Sequence, residues 1–130
     1  MDTSAVKPNP LILVAEDERE IRELIVFTLE IADFRVVAVP NGQEAVKKAV
    51  EISPDLILMD VRMPKMNGFE LCGEIRKIDD KVKITFMTAF DIKKDDLKIA
   101  VPSLKGEEPL IIRKPIPIDD FVIKVKEELE

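Results

Sequence analysis

The stretch Leu56-Ile57-Leu58-Met59-Asp60 decides the fold of this chain. Four consecutive apolar residues end in a carboxylate, and the turn-rich segment VRMPKMNG, residues 61–68, follows directly. An unpaired carboxylate buried in the middle of a strand is very costly, so we predict that Asp60 ends a buried parallel strand. Ligands bind at the carboxyl ends of the strands in open α/β sheets. This edge of the sheet is therefore where we expect function.

Short apolar runs alternate with helical patterns on both sides of that stretch. The predicted strands are residues 11–15, 35–39, 56–60, 82–87 (ending at Thr88) and 110–112 (ending at Arg113-Lys114-Pro115). Helical spacing relates the following apolar residues: Ile21, Leu24, Ile25 and Leu29; Ala45, Val46, Ala49 and Val50; Phe121, Val122, Val125 and Leu129. Asn41, with Glu44 three residues on, resembles a helix N-cap. A helix is also predicted over 69–78, and another over 91–101 that Pro102 ends.

This alternation predicts an α/β fold, since strands separated by helices form parallel sheets with helices on both faces. With right-handed crossovers, we expect one domain with a flavodoxin-like, doubly wound, five-stranded parallel sheet in the order 2-1-3-4-5. A chain of 130 residues fits one domain. Residues 1–10 are predicted to be a flexible N-terminal lead-in, because they lack the apolar core of a signal peptide, and residues 11–130 to be the domain.

Composition excludes several classes of function. The net charge of −6 disfavours binding to a nucleic-acid backbone, and no run reaches the ~20 apolar residues of a membrane-spanning helix. One cysteine and no histidine exclude an internal disulfide, a zinc site of the usual kind and a histidine-based triad. A cytoplasmic location is expected. Any metal site must therefore consist of oxygen ligands, which suits Mg²⁺, Mn²⁺ or Ca²⁺.

Polar side chains follow four of the predicted strands at their carboxyl ends. These are Glu16 and Asp17, Asp60, Thr88 and Lys114. Three carboxylates at one place repel each other, and an oxygen-binding divalent cation relieves that repulsion. Lys114 and Thr88 add a positive charge and a hydroxyl group. The set predicts a site for a tetrahedral anion next to a carboxylate, and a carboxylate can itself accept a phosphoryl group.

Four sequence pieces occur here in a family-specific order. They are Glu16-Asp17, the block MDVRMPKMNG at residues 59–68, Thr88-Ala89 and Lys114-Pro115. Together they resemble the response-regulator receiver domain of two-component signalling, a CheY-like module, over about residues 11 to 129. The resemblance implies that Asp60 accepts a phosphoryl group from a sensor histidine kinase or a histidine phosphotransfer protein. It also implies a Mg²⁺ or Mn²⁺ ion held by Asp17 directly, Glu16 through a water, Asp60, and the main-chain carbonyl of Arg62.

The resemblance further implies how the signal is transmitted. Lys114 pairs with Asp60 and then with the phosphoryl oxygens, Thr88 moves inward to the phosphoryl group, and Lys114-Pro115 is a cis peptide. A downstream protein then binds the face formed by the predicted fourth helix, the fifth strand and the last helix. We expect a stand-alone switch without an output domain, a monomer or weak homodimer, that catalyses only its own phosphorylation and dephosphorylation.

Two features depart from the family pattern. Ile111 stands where the family usually has an aromatic residue, and residues 102–109 replace a small Gly-Ala turn. They leave open an alternative, a phosphorylation-independent protein-interaction module on the same fold. A Mg²⁺-dependent phosphatase is disfavoured because Arg62, two residues after Asp60, is not an acid. The bulk of Arg62 and Phe90 is expected to slow loss of the phosphoryl group. Cys72 and the methionines Met59, Met63 and Met66 are interpreted as packing residues.

Overall fold

The computed structural model describes residues 9–61, 68–88, 110–116 and 118–130, and the side chains of all of these except residues 68 and 69. We number the elements within these ranges in chain order. They are β1 (Leu11–Ala15), α1 (Arg19–Ile31), β2 (Arg35–Val39), α2 (Gly42–Ile52), β3 (Leu56–Asp60), α3 (Gly68–Ile78), β4 (Lys83–Thr88), β5 (Leu110–Arg113) and α4 (Ile118–Leu129).

The five strands form one parallel sheet in the order β2-β1-β3-β4-β5. The predicted fold class and strand order are therefore confirmed. β3 lies at the centre, and all five of its residues are buried. A strand covered on both faces needs a continuous apolar run rather than an alternating one, which is why Leu56 to Met59 are all apolar. Asp60 is the last residue of this strand, as predicted.

Within the described residues, two helices lie on each face of the sheet. On one face Ile57 and Met59 of β3 belong to a buried cluster that includes Ala45 of α2 and Leu71 of α3. On the other face Leu56 and Leu58 join a cluster with residues of α1 and α4, namely Ile25, Leu29, Phe121 and Val125. Successive side chains of a strand point to opposite faces, so β3 contributes to both clusters and joins the two halves of the core.

The residues with helical spacing before β3 lie in helices, as predicted. Asn41 caps α2, since its side-chain oxygen accepts a hydrogen bond of 2.9 Å from the backbone N–H of Glu44. Leu24 and Val50 share the helical spacing of buried neighbours but are 43% and 60% exposed, so they lie at the margin of the core-facing side of their helices.

Some of the remaining sequence expectations concern described residues, and others lie outside them. Cys72 and Met59 are fully buried, as expected of packing residues. Met63 and Met66, the predicted helix over 91–101, and Phe90 lie outside the described residues, as does the lead-in up to residue 8. Among the helices that the structure describes, none is both long enough and apolar enough to cross a membrane.

Candidate functional site

The predicted site residues lie at one edge of the sheet. Asp60 and Thr88 are the last residues of β3 and β4, Glu16-Asp17 follows β1, and Lys114 follows β5. Because these strands are parallel and adjacent, their carboxyl ends meet at the same edge. Thr88 is fully buried, and its main-chain oxygen accepts a hydrogen bond of 2.8 Å from the backbone N–H of Lys114. This bond fixes where the lysine leaves the sheet.

Lys114 is the centre of the charge arrangement. Its ammonium group donates a hydrogen bond of 2.8 Å to Oδ2 of Asp60 and lies 2.6 Å from Oε1 of Glu16. The second contact is an ion pair without hydrogen-bond geometry, since the buried Oε1 atom has no hydrogen-bond partner in the described structure. The pairing with Asp60 is the one predicted from the sequence, and the contact with Glu16 was not predicted. One cation therefore faces two carboxyl groups, and the group of three has a net negative charge when both carboxyl groups are ionised.

Burial strengthens these interactions and sets the protonation of Glu16. The Glu16 side chain is fully buried and that of Lys114 is 11% exposed. Burial raises the pKa of the Glu16 carboxyl from 4.5 to about 7, with a smaller contribution from the charge of Asp60. Lys114 and the backbone N–H of Glu18 oppose that rise only in part. Burial also works to lower the pKa of Lys114, but the contacts with Asp60 and Glu16 outweigh it and raise that pKa.

The backbone of the acidic turn, residues 16–18, is held by neighbouring elements. The N–H of Glu16 donates to the carbonyl of Val39 at 3.1 Å, and the N–H of Glu18 donates to Oε2 of Glu16 at 3.1 Å. Arg22 of α1 reaches back to this turn, where its Nη1 lies 2.9 Å from the carbonyl oxygen of Glu16 and 3.4 Å from that of Asp17. The sequence reasoning missed Arg22. Its position four residues after Glu18, one helical turn on, was the available signal.

The three acidic side chains are close enough to hold one metal ion. One carboxylate oxygen from each of Glu16, Asp17 and Asp60 lies within 4.8 Å of the other two, and of the three only Asp17 is exposed. Oxygen donors of this kind suit Mg²⁺ or Mn²⁺. Burial disfavours the ionised Glu16 carboxylate, and a divalent cation bound by the three carboxylates would offset that cost, so the donor set fits such an ion. Arg62 lies outside the described residues, so its carbonyl as a further ligand stays a prediction.

The family model described as the response regulator receiver domain matches residues 12–126. The chain belongs to this family. The matched region contains the acidic turn, Asp60, Thr88 and Lys114. Receiver domains are signalling switches of two-component systems, and response regulators interact with histidine kinases or phosphotransfer proteins.

Several known response regulators are similar to this chain in sequence or in structure, over most or part of its length. The response regulator receiver protein CpdR of Brucella abortus is 31% identical over 118 residues, which cover 91% of this chain and 95% of CpdR. The regulatory protein PhoP of Bacillus subtilis is 40% identical over 83 residues, 64% of this chain, but the match spans only 35% of PhoP. The crystal structure of TrrA from Thermotoga maritima, in complex with Mg²⁺-BeF, has a TM-score of 0.77 and 32% identity, with 92% of this chain and 98% of TrrA covered.

Two family-based expectations concern the strand that carries Lys114. The Lys114-Pro115 peptide bond is cis, which confirms the expectation. Ile111, which stands at the usual aromatic position of the receiver family, is partly buried and packs against the core face that contains Phe86. An aliphatic side chain therefore fills this place against the core in the receiver domain described here.

Proposed function

We propose that Asp60 accepts a phosphoryl group from a phosphohistidine of a sensor histidine kinase or a histidine phosphotransfer protein. The observation that carries this proposal is the pairing of the buried Asp60 carboxylate with Lys114 at 2.8 Å, next to two further acidic side chains. A carboxylate held by an ammonium group beside a fitting metal site is the arrangement that an aspartyl-phosphate chemistry needs. Membership of the receiver family supports the same role.

The transfer forms one bond and breaks one. An oxygen of Asp60 bonds to phosphorus as the phosphorus–nitrogen bond of the phosphohistidine breaks, and the product is an acyl phosphate. Glu16, Asp17 and Asp60 would hold a Mg²⁺ or Mn²⁺ ion, which would supply positive charge to offset the negative phosphoryl group. Lys114 contributes its own positive charge, since its ammonium group already lies 2.8 Å from Oδ2 of Asp60. The hydroxyl of Thr88, at the end of the adjacent strand, is the proposed hydrogen-bond donor to the phosphoryl group.

The proposed output is a change in partner binding at the side of the sheet formed by β5 and α4. β5 is an edge strand, and it connects directly to Lys114. A phosphoryl group that draws Lys114 and Thr88 toward Asp60 pulls on the ends of β4 and β5, where Ile111 packs. The predicted helix over 91–101, which belongs to the same proposed face, lies outside the described residues. We place this switch in the cytoplasm, where its kinase or phosphotransfer partner would act.

A small phosphodonor tests the chemistry without knowledge of the kinase. Incubation with phosphoramidate and Mg²⁺ is expected to add one phosphoryl group, seen by intact-protein mass spectrometry and removed by hydroxylamine, which cleaves acyl phosphates. Asp60→Asn should abolish the addition. Asp33→Asn is the matched control, because it makes the same change at an exposed aspartate away from the site and should leave the addition intact. An unmodified wild-type mass, or equal labelling of the Asp60→Asn variant, would refute the proposal.

The second candidate is an interaction module that works without phosphorylation. It is favoured by Ile111, an aliphatic residue at the usual aromatic position of the family, which packs against the core. Once a binding partner is identified, its affinity for wild type with and without phosphodonor separates the two functions. Equal affinity in both states, and for the Asp60→Asn variant, would favour the second candidate.

A further inference from the structure

We propose that Arg22 is a positioning residue that fixes the acidic turn, residues 16–18, for metal binding. The inference rests on the proposed function, since it concerns the same Mg²⁺ site. Nη1 of Arg22 lies 2.9 Å from the carbonyl oxygen of Glu16 and 3.4 Å from that of Asp17. Arg22 is not a metal ligand in this proposal. Its guanidinium contacts the main-chain carbonyl groups of Glu16 and Asp17, so it acts on their side chains through the backbone.

The turn is short and its two acidic residues are held unequally. Only three residues separate the end of β1 from the start of α1. Glu16 is tied through its N–H to Val39, through Oε2 to the Glu18 N–H, and through Oε1 to Lys114. Asp17 has an exposed side chain, and its described hydrogen bond is the contact of its carbonyl with Arg22. Among the described contacts, the one that holds the backbone of Asp17 is therefore that of Arg22.

The start of α1 offers no substitute for this contact. The N-cap residue Glu18 makes no side-chain capping hydrogen bond. Arg22 sits one turn into the helix, where its own N–H donates to the carbonyl of Glu18 at 2.9 Å. Its guanidinium thus connects the helix to the carbonyl groups that precede it. Arg22 also lines an open surface cleft with Val26, Phe27 and Ala38. A substitution of Arg22 therefore does not require the core to repack.

Charge and position predict opposite effects of removing Arg22, which makes the inference testable. A cation near a Mg²⁺ site repels the metal, so its loss should tighten Mg²⁺ binding if charge alone mattered. If Arg22 positions the turn, its loss should weaken binding. Groups that orient metal ligands are commonly worth about 10-fold to 100-fold in metal affinity. Arg22→Met keeps the length and apolar character of the side-chain stem and removes the donor.

Isothermal titration calorimetry with Mg²⁺ alone is the primary measurement. Arg22→Met is expected to raise the Kd for Mg²⁺ by about 10-fold relative to wild type, and Arg22→Lys, which keeps one charged donor, should recover part of that loss. Arg19→Met is the matched control. It removes the same charge one turn earlier in the chain, from a guanidinium that pairs with Glu23 at 2.9 Å on the exposed surface, and should leave the Kd unchanged.

A second measurement needs no metal. Amide hydrogen exchange of Glu18 in metal-free protein should be faster in Arg22→Met than in Arg19→Met, because the turn that holds this N–H is loosened. An Arg22→Met protein that binds Mg²⁺ as tightly as Arg19→Met or more tightly, or that shows the same Glu18 exchange, overturns this inference alone. A wild-type protein that neither binds Mg²⁺ nor reacts with phosphoramidate overturns the proposed function, and this inference with it.

Discussion

The buried carboxyl of Glu16 makes the stability of the metal-free protein depend on pH. Its pKa is about 7 in the folded protein, whereas an exposed glutamate in the unfolded chain has its ordinary value. The folded state therefore binds more protons than the unfolded state across the interval between the two values. Stability falls with rising pH wherever the folded state binds more protons. The stabilising contribution of the proton on Glu16 is fully present below the unfolded value and is lost as the pH rises through about 7.

The size of the effect follows from the width of that interval. The pKa moves from 4.5 to about 7, and each pH unit corresponds to about 1.4 kcal/mol. The free energy of unfolding should therefore fall by up to about 3 kcal/mol between pH 5 and pH 8. That is a large part of the about 5–15 kcal/mol that stabilises a typical domain. Mg²⁺ must be removed with a chelator, since a bound cation would hold Glu16 ionised.

Urea unfolding followed by circular dichroism at several pH values measures this change. Glu16→Gln removes the titrating group while it keeps the shape of the side chain, so its unfolding free energy should vary less with pH and should exceed that of wild type at pH 8. Glu20→Gln, an exposed glutamate on α1, is the matched control and should follow wild type. A wild-type stability that rises from pH 5 to pH 8, or a Glu16→Gln variant with the wild-type slope, would refute the reasoning.

Three further predictions follow from the same contacts. Lys114→Met leaves the Glu16 and Asp60 carboxylates without a counter-charge and should lower the free energy of unfolding by about 3 kcal/mol in the presence of chelator. Urea unfolding with Mg²⁺ should show that the metal restores part of this stability. An equal loss with and without Mg²⁺ would contradict the prediction. Thr85→Val should raise the unfolding free energy by about 1 kcal/mol, because the Thr85 hydroxyl is buried without a hydrogen bond in the described structure; a fall in the melting temperature would contradict it. Asn41→Ala should cost about 1 kcal/mol by removing the α2 cap, whereas an unchanged melting temperature would show that the cap contributes nothing.

Local patterns in the sequence predicted the sheet and most of the site. A buried parallel strand needs a continuous apolar run, so each strand was visible from a few residues. Crossover rules left a few topologies, and the flavodoxin-like fold supplied the strand order. The carboxyl-end rule then brought Glu16, Asp17, Asp60 and Lys114 together without knowledge of distances. These predictions need only short segments of sequence together with general rules of sheet topology.

Contacts between distant or unpatterned side chains could not be predicted in the same way. Periodicity assigns Leu24 to a helix but does not tell how wide the buried arc is, which depends on the packing of α1 beside α4. The second partner of Lys114, Glu16, depends on side-chain reach across two strands. The contact of Arg22 with the acidic turn depends on the angle at which α1 leaves β1. Nothing in the residue types alone distinguishes it from the exposed Arg19 of the same helix.

The pairing of Asp60 with Lys114 joins positions 54 residues apart in the chain. During synthesis the first three strands, with all three acidic side chains, leave the ribosome well before Lys114 does. Until β5 docks on β4, Asp60 has no ammonium beside it and no closed edge of the sheet around it. Long-range closures of this kind come late in folding. The proposed acceptance of a phosphoryl group at Asp60 therefore requires a chain that has been made and folded at least as far as β5, and a chain that stops before Lys114 would lack the ammonium group beside Asp60.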